Sequence, residues 1–146
     1  MSVNSILYFG RKNCKYSNNL KNFLATKTKN LTYVESEKIF RTTPKDEVIK
    51  KQYTFIVSFR SFYVLKKELI NKALVAAINF HPSVPKYRGI GSTNFAMYDN
   101  SKFYGSTCHV IDEKIDHGKI LNLRKFRIKK KDTIESLLKK TYPIML

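Results

Sequence analysis

Cysteine and acidic side chains are both scarce in this chain of 146 residues, which has two Cys, and 11 Asp or Glu against 28 Lys or Arg. Cys14 and Cys108 lie far apart and no second C-x-x-C accompanies them, so neither a disulfide framework nor a zinc site is indicated; no metal is expected. No run approaches the roughly 18 apolar residues that span a bilayer, and the N-terminus lacks the charge, apolar core and small-residue cleavage plan of a signal peptide. A soluble, cytoplasmic protein is therefore expected, with no membrane partner. Repeats, linkers and low-complexity segments are also missing, which predicts a single domain over 1–146. The shortage of acid leaves a formal charge of +17. Such a field draws in polyanions, phosphorylated metabolites or anionic cofactors. The lysines are scattered, however, and solvated faces account for many of them.

Segments rich in β-branched and aromatic residues alternate with helical patterns, which predicts an α/β fold with a mainly parallel sheet and covering helices. Strands are expected at Ser5 to Phe9, Leu31 to Glu35, Thr54 to Ser58, Val75 to Asn79, Gly105 to Ile111 and Lys119 to Ile128. Helices are expected at about Ser17 to Thr26, Lys66 to Ala73, Thr93 to Tyr98 and Thr133 to Lys140, the last capped by Asp132. Lys45 to Lys51 is ambiguous, with a helical turn as one reading.

Two stretches carry chemistry. In RKNCKYSNNL, Cys14 and Ser17 stand at C-x-x-S spacing before an amphipathic segment, the pattern of a monothiol redox centre or of an ordinary strand-to-helix loop. In VAAINFHPSVPKYRGIGS, residues 75–92, Asn79 and His81 fall where a strand runs out, and open α/β sheets bind ligands beyond the carboxyl ends of their strands. Asn79 offers an uncharged amide donor to an oxyanion. His81, two residues on, points to the same side and exchanges protons near neutral pH. Taken singly, either residue also reads as a satisfied turn former.

The run Asn79, His81, Pro82, Ser83, Pro85, Lys86, Tyr87, Arg88, Gly89, followed by Gly105, Ser106, Thr107 and by Ile115, Asp116, Gly118, Ile120, resembles the 10-formyltetrahydrofolate-dependent formyltransferases. That family's pattern is N-x-H-P-S-x-L-P-x-x-R-G, then G-x-T, then D-x-G; here Ser83-Val84-Pro85 shortens the first loop by one residue and its Leu is absent. The resemblance implies a Rossmann-like, formyltransferase-type fold in shortened form, with 10-formyltetrahydrofolate as formyl donor and a primary amine as acceptor. It implies Asn79, His81 and Asp116 as the catalytic triad. It also implies a pterin site lined by Phe62, Tyr63, Val64 and Leu65 with Ile111 and Asp112, and acceptor contacts from Cys14, Ser17, Ser83, Lys86, Arg88 and Gly89. His109 and His117 have weaker claims.

About twenty residues separate the second and third predicted strands, fewer than in larger relatives of that family. Arg11 to Tyr16 holds no glycine, unlike the phosphate loop of the ribonucleotide enzymes, and a C-terminal barrel like that of the tRNA-acting members is not expected. By elimination, the amine of a nucleotide-linked amino sugar is the expected acceptor. Glycinamide ribonucleotide or methionyl-tRNA formylation, a non-catalytic nucleotide or nucleic-acid binding module, and a monothiol redox protein are the alternatives. A homodimer is compatible with all of them, and nucleic acid is suggested by the charge alone.

Overall fold

The structure, a computed structural model, describes residues 3–38 and 44–146. The chain divides into two compact units, Met1–Asn79 and Phe80–Leu146. The first contains β1 (Ile6–Arg11), α1 (Lys15–Ala25), β2 (Leu31–Ser36), α2 (Asp46–Lys50), β3 (Tyr53–Phe59), α3 (Lys67–Ile70) and most of β4 (Ala73–His81). The second contains α4 (Ser92–Tyr98), β5 (Phe103–Val110), β6 (Ile120–Arg127) and α5 (Ile134–Ile144). Strand thus alternates with helix until the final pair, and the Rossmann-like α/β class anticipated from the sequence is the one found.

In the first unit the strands follow the order β2-β1-β3-β4. β1 lies parallel to β2, with Ile6 opposite Leu31, and parallel to β3, with Ile6 opposite Phe55. A strand flanked on both edges and covered on both faces must be apolar throughout, which is why Ile6, Leu7, Tyr8 and Phe9 run without a polar break and are all buried. Its end meets α1 through a loop in which Asn13 takes φ +53°. The ambiguous segment is a helix of five residues, α2, and α3 is shorter than expected, at four residues.

In the second unit β5 and β6 pair antiparallel, with a register slip between Cys108 and His109. The backbones approach so closely that a Cβ on Gly105 would lie 1.9 Å from the Arg124 carbonyl oxygen, and one on Gly118 1.9 Å from that of Val110. Only glycine fits either place. Tyr104 and Leu137 centre a core with Val84, Tyr87 and Ala96. The first residue of α5 is fixed by Thr133, not by Asp132: Thr133 Oγ1 accepts the Ser136 amide while Ser136 Oγ accepts the Thr133 amide. Asp132 instead takes the Lys129 amide, the Ser136 hydroxyl and the Lys140 ammonium. Among the described residues, no helix is long and apolar enough to cross a membrane.

Candidate active site

The second unit gathers an acid and two imidazoles that are distant in sequence. Asp116 Oδ2 lies 3.2 Å from His81 Nδ1 and accepts the Gly89 amide at 2.9 Å. Asp116 Oδ1 lies 3.3 Å from His109 Nε2. The far nitrogens of both rings meet carbonyls, His81 Nε2 that of Tyr87 at 2.7 Å and His109 Nδ1 that of Val110 at 2.9 Å. Both imidazoles are buried, at 5% and 3% exposure.

These contacts set the charges. Burial opposes the charge of His109, yet the hydrogen bond and field of Asp116 outweigh it, and its pKa is raised. A protonated ring also suits its geometry, because both nitrogens face acceptors. Burial dominates at His81 and lowers its pKa against the pull of Asp116, with the charge of His109 adding to the fall. The neutral ring then donates Nε2–H to the Tyr87 carbonyl and leaves the Nδ1 lone pair beside Oδ2. Burial would raise Asp116, but His109, His81 and the Gly89 amide together hold its pKa below the ordinary carboxylate value. Shifts and geometry together favour one ion pair, His109 with Asp116. Beside it is an unprotonated nitrogen on which a further proton is stabilised by the same carboxylate.

Backbone geometry aims the three groups. Val110 donates its amide to the Lys119 carbonyl across the 111–118 turn, and Asp116 within that turn takes φ +49°, a left-handed conformation that Asp tolerates better than most residues. The loop after His81 is held from β5: Tyr104 Oη donates to the Pro82 carbonyl at 2.8 Å, and Thr107 Oγ1 to that of Ser83 at 2.7 Å. With its one proton so used, Tyr104 Oη accepts from Thr93 Oγ1 at 2.7 Å.

The other expected residues fall as follows. Ser83 is fully buried, with no partner for its hydroxyl among the described residues. Lys86 is exposed and paired with Asp99 at 2.9 Å; Arg88 is exposed; Gly89 contributes its amide to Asp116. Ile111 is half-buried, and Asp112 accepts the Lys114 amide and pairs with His117 Nδ1 at 2.7 Å. In the first unit, Cys14 is the N-cap of α1 and takes a hydrogen bond from Arg60 Nη1, and Ser17 is buried and takes the Arg11 amide. Burial opposes the Cys14 thiolate, but the Ser17 hydroxyl and amide and the Arg60 guanidinium hold its pKa below the ordinary value. After β3, Ser36 Oγ and Ser61 Oγ accept the amides of Phe62 and Tyr63. The Arg11 guanidinium covers Phe62, Tyr63 stacks on Phe9, Val64 is exposed and Leu65 is buried. Asn79 lies on β4 two residues before His81.

His109, to which the sequence pattern gives a weaker claim than to His81, contacts Asp116 as well. Its spacing of seven from Asp116, across a turn flanked by glycine, is the available signal.

The formyl transferase family model matches residues 9–143, which spans most of both units. The bifunctional polymyxin resistance protein ArnA of Wigglesworthia glossinidia brevipalpis is 35% identical over 96 residues, covering 65% of this chain and 15% of that protein. The methionyl-tRNA formyltransferase of Thermodesulfovibrio yellowstonii is 32% identical over 102 residues, covering 65% of this chain and 32% of the relative. The chain thus spans a third or less of the length of either relative. The N-formyltransferase of Helicobacter canadensis, whose crystal structure is a complex with folinic acid and dTDP-3-aminofucose, superposes with a TM-score of 0.79 at 19% identity, covering 97% of this chain and 60% of that one. That likeness shows the shared fold. With the family match running from the end of β1 through the HPSVPKYRG loop and the Asp116 turn, the chain belongs to the formyl transferase family.

Proposed function

We propose that this chain transfers a formyl group from 10-formyltetrahydrofolate to a primary amine, with residues 1–146 acting as one catalytic module. The observation that carries the reading is the Asp116 carboxylate held between His81 and His109. The amine nitrogen attacks the formyl carbon and a C–N bond forms, leaving a tetrahedral oxyanion. The attacking nitrogen loses its proton to the His81 and Asp116 pair, at Nδ1 or Oδ2. That proton then returns to N10 of the folate as its bond to the formyl carbon breaks, so the proton count closes. Asn79 supplies an uncharged donor to the oxyanion. The charge on His109 stabilises it through space and keeps Asp116 ionised.

The pterin is assigned to Phe62, Tyr63, Val64 and Leu65 and to Ile111 and Asp112. The Phe62 and Tyr63 amides are committed to serine side chains, so ring contacts fall to Val64, Leu65 and the carbonyls of the segment. The acceptor is assigned to the exposed Lys86 and Arg88; Ser83, Cys14 and Ser17 are buried and the Gly89 amide is held by Asp116. A nucleotide-linked amino sugar is supported by the relative solved with dTDP-3-aminofucose. Methionyl-tRNA is the second reading, supported by the name of another relative. The assay mixes protein, 10-formyltetrahydrofolate and a panel of nucleotide amino sugars, glycinamide ribonucleotide and methionyl-tRNA, and follows release of tetrahydrofolate. Turnover with a nucleotide amino sugar is expected. Turnover with no amine in the panel would defeat the reading.

A further inference from the structure

Between residues 119 and 131 the sequence holds seven Lys or Arg and no Asp or Glu. All seven are exposed, and none pairs with an Asp or Glu side chain among the described residues; Arg124 donates to main-chain oxygens of Ile144 and Leu146. So dense a run of unneutralised charge repels itself and weakens the fold unless a polyanion relieves it. The hairpin places an aromatic group beside it. Phe103 pairs with Arg127 in register, and strand alternation puts Phe103, Lys125 and Arg127 on one face while Tyr104 and Phe126 turn into the core. Phe103 is 51% exposed and has no aromatic partner among the described residues. Lys102, before it, and Lys129, just beyond Arg127, are exposed as well.

We propose that this end of the β5–β6 hairpin is a binding surface for single-stranded nucleic acid, separate from the formyl-transfer site. A base stacks on Phe103 while Lys125, Arg127 and the lysines that follow hold neighbouring phosphates. His109 lies six residues further along β5, so about 20 Å of strand separates the surface from the Asp116 cluster. One aromatic ring among cations suits base stacking better than insertion into a membrane, which calls for several apolar side chains together.

The test is fluorescence anisotropy of a labelled oligouridylate and an oligothymidylate, titrated with the full chain at several salt concentrations. Affinity is expected to fall about tenfold or more in Phe103→Ala with the salt slope unchanged. In Arg127→Glu it is expected to fall with a slope shallower by about one or more. Formyl-transfer turnover should survive in both variants, which separates failure of this surface from failure of the proposed activity. Binding insensitive to Phe103, or matched by heparin, would show a non-specific polyanion effect and overturn the proposal. So would capture by phosphatidylserine vesicles with no oligonucleotide binding.

Discussion

His109 and Asp116 stand seven residues apart in the chain and 3.3 Å apart at Nε2 and Oδ1. This contact gives the carboxylate a second imidazole and shifts the two rings in opposite directions, His109 toward its charged form and His81 toward its neutral one. A carboxylate served by two imidazoles and an amide keeps its charge despite burial, which a proton acceptor for an ammonium requires.

Asp116→Asn keeps the size of the side chain and removes its charge. Turnover is expected to fall by roughly 10²- to 10⁴-fold with the KM for the amine little changed. Steady-state release of tetrahydrofolate measures this. A fall in kcat/KM confined to KM would instead place Asp116 in acceptor binding.

The opposed shifts of the two imidazoles predict a bell-shaped pH profile. The acid limb, where His81 becomes protonated, should lie below the ordinary imidazole value of about 6.5, and the alkaline limb, where His109 loses its charge, above it. His109→Gln should erase the alkaline limb and keep the acid one. An acid limb centred above the ordinary imidazole value, or an alkaline limb centred below it, would refute the assignment.

Stability follows the same shifts. His109, raised in the fold, contributes stability that is complete below its unfolded value and lost as pH rises through the folded one. Asp116, depressed in the fold, contributes stability that is present above the ordinary carboxylate value and lost as pH falls through the lowered one. His81, buried neutral, adds to the loss in acid. Urea midpoints are expected to peak between these limits, and His109→Gln should flatten the alkaline side.

Tyr104→Phe deletes the hydroxyl that ties the half-buried Pro82 carbonyl to the buried Thr93 and removes both bonds. A loss of about 1–3 kcal/mol is expected from urea denaturation. Gly105→Ala, which drives a methyl group into the Arg124 carbonyl, should cost more, about 3 kcal/mol or above.

Much of this was legible in the residues. ILYF at 6–9 and TFIVS at 54–58 read as buried parallel strands because covering helices leave such strands no polar face. His81 and Asp116 emerged from the motif. His109 did not, since alternation along β5 assigns faces only while the pairing register holds, and the register slips at this residue. The start of α5 was misplaced by one position because Asp132 and Thr133 both make good caps. What separated them was Ser136, whose hydroxyl returns a bond to Thr133. α1 begins at Lys15, before its expected start, with Cys14 at the cap position.

The turn that carries Asp116 is closed at its neck by the bond from the Val110 amide to the Lys119 carbonyl and by Gly118 pressed on Val110. It behaves as a ruler of fixed length. Residues 113–115 can be rewritten to suit another substrate while the carboxylate stays where it is, whereas one inserted or deleted residue swings it away from both imidazoles. Diversification within this turn is therefore open to substitution and closed to changes of length.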